Sequence, residues 1–223
     1  MPDDSDSATV LAKPRATSGR GGRPTVADAQ RRQAYLIEIA GAMFMKLGFD
    51  GTSIDAVAEA ASMSKRTVYA RYKDKGELFS AVLRDLIERW LAPITRFQSV
   101  DAELEPMLLE IARHLLTSAL APQAVSLHRI IIGEAERRPE FGRLAHSEGR
   151  QAGVRAIAAA LKRHRAELLS DDLEQAAEQF MSLVIDSSLR LATLGIKPGG
   201  RTIEDRIRAA VDLFLNGARR SGR

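Results

Sequence analysis

The stretch TSIDAVAEAASMSKRTVYARYKDKGEL, residues 52–78, decides how this chain is read. It holds two short helical patterns separated by a tight turn. In the first, Ile54, Val57, Ala58 and Ala61 recur at the spacing of one buried face. Thr52 or Ser53 caps its start, and Asp55 in the first turn complements the helix dipole. Ala61-Ser62-Met63-Ser64 forms the turn, and Ser64 caps a second helix expected to end near Tyr72. Val68 and Tyr72 of that helix face inward. Its other residues, Lys65, Arg66, Thr67, Tyr69 and Arg71, make a density of donors that no core element carries. A charge run on an isolated helix is only a solvated face. A two-turn cationic helix held at a fixed angle by its neighbours is shaped for the major groove of duplex DNA.

Roles for the side chains follow from their positions. Lys65 and Arg66 lie in the first turn, where a recognition helix reaches base edges, and Arg66 has the fork geometry to pair with a guanine. Thr67 and Tyr69 offer hydroxyls to phosphates, and Arg71 adds a further phosphate contact. Ser53 and Lys75 sit at the N-termini of the second and fourth helices, which are ready phosphate sites.

Working outward, a first helix is expected from about Asp28 to Leu47. Leu36, Ile39, Ala40, Met43, Phe44 and Leu47 mark its buried face, and Gly48 closes it in a left-handed conformation. Asp74 begins a fourth helix with Glu77 as a capping-box variant. Leu78, Phe79, Val82, Leu83, Leu86, Ile87 and Trp90 give it a broad apolar face; it continues toward Phe97, and Pro93 predicts a kink or an end. Further helices are expected over about 102–120, 123–137, 140–167, 172–194 and 202–218. No β pattern competes and no repeat of fixed period is visible. The fold class is all-α with about nine helices. A disordered basic arm (1–27) precedes a helix-turn-helix DNA-binding domain (28–90) and a helical effector-binding and dimerisation domain (91–223). Arg15, Arg20 and Arg23 lie in the arm; either it is a solvated tail or it reaches DNA phosphate or the minor groove.

Composition agrees with this reading and excludes others. The 223 residues are 45% hydrophobic and 28% charged, which is globular. The formal net charge of +4 is modest. Its distribution is not even: eleven Lys or Arg against five Asp or Glu between Lys13 and Lys73, but nineteen against seventeen from Leu91 onward. The excess sits where phosphates would be met. There is no cysteine, which removes disulfides, thiolate metal sites and cysteine nucleophiles. The histidines form no H-E-x-x-H, and Glu110 and His114 stand four apart rather than the three of a di-iron bundle. GRGGR at 19–23 follows no strand and makes no nucleotide site. No metal, cofactor or enzymatic activity is therefore expected. No apolar run approaches eighteen residues and the acidic start has no signal core, so a cytoplasmic protein without a membrane span is expected.

The segment from about Arg32 to Trp90 resembles the DNA-binding domain of the TetR family of bacterial transcriptional regulators. The shared pattern is A-x-x-x-F-x-x-x-G-F-x-x-T-S/T, V-A-x-x-A, S-K-x-T-V-Y-x-x-Y and K-x-K-x-x-L-F. Here these are Ala40–Ser53, Val57–Ala61, Ser64–Tyr72 and Lys73–Phe79. Three positions depart from it. Ser62-Met63 replaces the usual Gly-Val, Arg71 stands where an aromatic residue or histidine is usual, and Tyr72 replaces phenylalanine. Ile130–Phe141 and Leu173–Asp186 resemble the C-terminal domain of the AefR-like branch.

The resemblance implies a dimer and a small-molecule pocket. The helix at 172–194 has two apolar rows, one of them Leu173, Ala177, Phe180, Val184, Ser187, Leu191 and Leu194, and an apolar helix must be covered on each such face. Paired with the stripe at 202–218, it predicts a four-helix dimer interface through Phe180, Val184, Leu191, Ile207, Val211 and Phe214. The implied pocket draws candidates from polar or adaptable residues on apolar helices: Trp90, Met107, Arg113, His114, His128, Phe141 and Phe180. The reading is a dimeric regulator, expected to be a ligand-responsive repressor, whose two recognition helices read a palindrome with half-sites about 34–36 Å apart. The alternative is an effector-independent or architectural DNA-binding protein.

Overall fold

Thr25 opens the first helix with a reciprocal cap. Its hydroxyl accepts from the Asp28 backbone N–H at 3.1 Å while the Asp28 carboxylate accepts from the Thr25 N–H at 3.4 Å. Helix α1 (Val26–Leu47) therefore starts two residues before the expected Asp28. This is a computed structural model that describes residues 25–98, 102–196, 200 and 202–218. The expected basic arm, with Arg15, Arg20 and Arg23, lies outside the described residues.

Three short elements follow under the same capping chemistry. Gly48 ends α1 at φ 73°, and its N–H bonds the Phe44 carbonyl at 2.9 Å. Ser53 caps α2 (Ile54–Ala60) by accepting from the Ala56 N–H. Ser64 caps α3 (Lys65–Tyr69) by accepting from Thr67 N–H at 3.1 Å. Between them the turn closes through Met63 N–H to Ala58 O at 2.9 Å, with Ser62 in the left-handed region at φ 54°. That is the position where the pattern prefers glycine. Asp74 caps α4 (Lys75–Arg96) by accepting from Glu77 N–H at 2.9 Å, and Glu77 in turn accepts from Lys73 N–H at 2.8 Å.

Pro93 neither ends α4 nor isolates its last turn. It removes one donor, but Ile94 beyond it is fully buried, and that burial keeps the helix going to Arg96. The remaining helices are α5 (Leu104–Ala119), α6 (Pro122–Gly133), α7 (Pro139–Leu144), α8 (Gln151–Leu161), α9 (Leu173–Thr193) and α10 (Ile203–Ala218). The stretch expected as one seventh helix is a continuous run of α7, a π-helical segment (Ala145–Arg150), α8 and a 3₁₀ segment (Lys162–Glu167). No strand occurs among the described residues.

Two apolar cores result. One holds Leu36, Phe44, Val57, Val68, Leu78 and Phe79 from α1–α4. Leu127, Ile131, Phe141 and Leu144 of α6 and α7 also belong to it. A boundary at residue 90 thus divides the chain but not this core. The other core is built on α5, α8, α9 and α10, with Ile94 from the end of α4. Helix α4 runs through both.

The strained turn residue offers a direct check. A left-handed non-glycine residue costs about 1–2 kcal/mol. Ser62→Gly should raise the unfolding free energy by about 0.5–1 kcal/mol, part of the relief being lost to glycine's larger unfolded-state entropy. Urea denaturation reads this as a higher midpoint at unchanged slope.

Candidate nucleic-acid interface and effector cavity

Helix α3 stands on a fully buried Val68 and a nearly buried Tyr72, with Ala58 and Val57 of α2 beneath it. Its outer face is exposed. Among the described residues the Arg66 side chain has no hydrogen-bond or ion-pair partner, so its guanidinium is free to meet a base edge. Lys65, by contrast, is ion-paired with Asp55 of α2. The Tyr69 ring is 48% exposed, and its hydroxyl approaches the same carboxylate. Thr67 shares a 2.7 Å hydroxyl contact with Ser64. Arg71 donates to the Gln33 side-chain carbonyl of α1, and Gln33 donates onward to the Tyr72 hydroxyl. Lys75 donates to the Asp50 carbonyl at 3.3 Å and lies 4.5 Å from the centre of the Phe49 ring. Ser53 stays exposed at the start of α2.

All seven residues expected to meet DNA therefore lie at the start of α2, on α3, in the turn after it (Arg71) and at the start of α4, but most are held by neighbours in the free chain. The sequence pattern did not reveal Asp55 as a clamp or Gln33 as a bridge. Both join residues ten or more positions apart, and local periodicity carries no trace of such pairs. The clamp has an electrostatic signature. The hydrogen bond from Lys65, with Tyr69 adding to it, holds the Asp55 carboxyl below the usual carboxylate range; Asp55 in turn raises the Lys65 ammonium and the Tyr69 phenol.

Phe49 lies between two cations. Lys75 is on one contact, and the Arg138 guanidinium carbon is 4.6 Å from the same ring. Arg138 belongs to the turn between α6 and α7, where Glu134, only 10% exposed at its side chain, pairs with Arg137 and Arg138. Arg137 also lies 3.9 Å from Asp50. Phe141 then enters the ring cluster of Phe44, Phe49 and Phe79, 4.6 Å from Phe79 and 5.3 Å from Phe49. The first turns of α4 are thus gripped by the second half of the chain.

A cavity of about 460 Å³ opens between α4, α6, the π-helical segment and α9. Leu83, Ile87, Trp90, Leu127, Ile131 and Met181 supply apolar wall, and His128, His146 and Arg150 supply polar points. Of the expected pocket residues, Trp90 and His128 line it. Met107 does not: it is 2% exposed in the second core. Phe180 is fully buried there against Phe214, and Phe141 is fully buried in the first core. Arg113 binds Glu204 of α10 at 2.9 Å and Glu110, on another face of the molecule. His114 spends its ring nitrogen on the Trp90 carbonyl at 2.8 Å. These misplacements share one cause: helical periodicity tells a buried face from an exposed one, but not a packed interior from a lined void.

The interface expectation is corrected in the same way. Phe180, Val184, Ile207, Val211 and Phe214 are all 5% exposed or less within a single chain, where they join α9 and α10 to α5 and α8. Only Leu191 keeps intermediate exposure. The apolar side chains left outward on these helices are Leu183 (41%), Leu194 (64%), Ile203 and Leu213 (61%), with Leu169 beside them. Leu169, Leu183 and Leu213 line one shallow groove between α9 and α10. Among the described residues no cluster of three His, Asp or Glu is placed to hold a metal, and no single helix is long and apolar enough to cross a membrane.

Comparison with known proteins meets this geometry at both ends. Residues 36–82 match the family of bacterial regulatory proteins of the tetR type, and residues 106–217 match the C-terminal domain of AefR-like transcriptional repressors. The chain belongs to the TetR family. A TetR-family transcriptional regulator from Mesorhizobium loti shares its fold at TM-score 0.78 with 26% identity, over 86% of this chain and 98% of that one. The flavonoid-responsive regulator FrrA is 32% identical at TM-score 0.68, over 86% of this chain and all of FrrA. The transcriptional regulator RutR of Escherichia coli (strain K12) is 36% identical over 84 residues, 38% of this chain. That match spans only 40% of RutR's length.

The clamp on α3 can be checked by its titration. The folded-state pKa of Asp55 is depressed, so its contact persists at neutral pH and dissolves as pH falls through the lowered value. In an NMR titration Asp55 should titrate below the usual carboxylate range, and Lys65→Ala should move its midpoint upward. An unmoved midpoint would contradict the clamp.

Proposed function

We propose that this protein is a homodimeric transcriptional repressor that reads a palindromic operator and releases it when a small molecule fills the cavity beside Trp90. The observation that carries this reading is α3 itself: an exposed, unpaired Arg66 at the start of a helix pinned by Val68 and Tyr72. One such helix spans only a few base pairs. Two related by a two-fold axis read half-sites about one helical turn apart. FrrA, similar along almost its whole length, is a flavonoid-responsive regulator, which supports a responsive rather than a constitutive role. Acting on duplex DNA, the protein would work in the cytoplasm, without a cofactor and without catalysis.

The DNA-bound form requires exchanges of partner. Lys65 leaves Asp55 for DNA, Arg71 leaves Gln33, and Lys75 turns from the Phe49 ring toward a phosphate. Each trade swaps a solvent-exposed, solvent-screened contact for a charge-assisted one. Arg66 has nothing to give up. Arg66→Ala should therefore cost about 1–3 kcal/mol on the specific site and relax the preference at one base position. Lys75→Ala should weaken all sequences alike and reduce the salt slope by about one. Binding curves on selected and random duplexes at several salt concentrations measure both. Equal losses on the two DNAs for both variants would refute this division of labour.

For the dimer, the outward leucines of α9 and α10 supply the face. A combined Leu183→Glu and Leu213→Glu variant should keep its helix content yet sediment as a monomer. It should lose operator binding far beyond either change in charge. Phe180→Ala, which opens the single-chain core, should instead cost about 3–5 kcal/mol of stability.

A further inference from the structure

We infer that the cavity beside Trp90 takes an uncharged, largely apolar molecule carrying a hydroxyl or carbonyl group that meets His128. The inference rests on the effector-responsive reading above and adds the chemical class of the effector. Its first support is charge accounting on the wall. The titratable groups that line the cavity are Arg89, His128, His146, Arg150 and Asp186. Arg89 is bound to Asp85 at 2.6 Å. Arg150 is bound to Glu178 at 2.7 Å, to the Ser182 hydroxyl at 2.7 Å and to Asp186 at 2.9 Å. Those contacts consume the Asp186 carboxylate as well as the guanidinium. His146 stands exposed at the rim. Among the described residues each cation and carboxylate on the inner wall is already paired, so an ionised ligand would have to displace an existing partner. An ion entering without doing so would lose its hydration without a partner.

The second support is His128. It projects from α6, half-buried, and among the described residues its side chain has no hydrogen-bond or ion-pair partner; Leu127, Ile131 and the apolar side of α4 line the cavity with it. Burial lowers its pKa, so the ring is neutral at physiological pH. A neutral imidazole presents one donor and one acceptor, and suits a hydroxyl or carbonyl of a neutral molecule.

The third support is the shape of the void. At about 460 Å³ it accepts a molecule of two or three rings. Its depth is set by Gly153 of α8. A Cβ at that position would stand 2.7 Å from Trp90 Cη2 and 2.8 Å from Met181 Cε. The missing side chain lets the indole lie against the helix backbone instead of in the cavity. Gly153 is thus a positioning residue for the pocket, acting through Trp90.

A biphenyl series tests this with charge as the only variable. Isothermal titration calorimetry of the full-length protein at pH 7 would compare 4-hydroxybiphenyl, biphenyl-4-carboxylate and 4-(aminomethyl)biphenyl. The neutral phenol should bind at least about tenfold more tightly than either ion. Gly153→Ala, verified as folded by its melting curve, should weaken the phenol by about tenfold through the displaced indole. His128→Phe should weaken the phenol by about fivefold and leave 4-methylbiphenyl unchanged. An ion that binds as tightly as the phenol, no binding by any of the three, or a phenol indifferent to Gly153→Ala would overturn the inference. Fluorescence anisotropy on operator DNA, with the phenol present, separates the two claims. Selective binding of the phenol that leaves DNA affinity unchanged would uphold the class of ligand and remove its role as an effector.

Discussion

The packing of Phe141 against Phe79 and Phe49 is the contact on which the molecule's two halves depend. Four rings, Phe44, Phe49, Phe79 and Phe141, form one cluster with neighbouring centroids 4.6–5.9 Å apart. Three come from the DNA-reading end and one from the start of α7. Such pairs add about 0.5–1.5 kcal/mol each beyond their buried area. Arg138 and Lys75 on Phe49, and the Glu134–Arg137–Asp50 chain, extend the same junction to the surface. The head is therefore seated on the body rather than tethered to it.

This seating gives the cavity a mechanical meaning. Helix α4 contributes Phe79 to the ring cluster and Leu83, Ile87 and Trp90 to the cavity wall. The π-helical segment also lines the cavity and binds α4 through Arg84 and Glu148 at 3.1 Å. π-Helical turns inside α-helices recur at functional sites because their wider backbone shifts register at small cost. In the proposed response, a molecule filling the cavity would press on both, and α4 would carry the motion toward the reading head. A ligand shifts the balance only by the difference between its affinities for the two shapes. On that proposal, the rigidity of the ring cluster would set how much of the difference arrives at the DNA.

Local chemistry made the reading head legible from sequence. Ser53, Ser64 and Asp74 are caps, Gly48 is a stop, and Ser62, standing where the family pattern has glycine, is left-handed. Each is decided within four residues of itself. The helical body was legible for the same reason, apart from the 3₁₀ segment at Lys162–Glu167 and the π-helical segment, whose Ala-His-Ser-Glu-Gly-Arg sequence carries no signal of a wider turn. What was not legible is long-range. Phe180 and Phe214 form an apolar stripe whether the stripe meets its own chain or a partner. Met107 and Trp90 both look like adaptable core, and only the packing around Gly153 tells which of them lines a void. The anchoring of Lys65, Arg71 and Lys75 depends on Asp55, Gln33 and Phe49, distant in sequence and adjacent only after folding.

The chain has no cysteine, so two can be placed at will, at Ala70 on the reading head and Lys162 on the body, both exposed. Spin labels there, with labelled chains diluted into unlabelled ones, report the head-to-body distance by electron–electron double resonance. The seated junction predicts a narrow distribution in the parent protein and a broad one in Phe141→Ala at unchanged helix content. Distributions of equal width in the two proteins would contradict it.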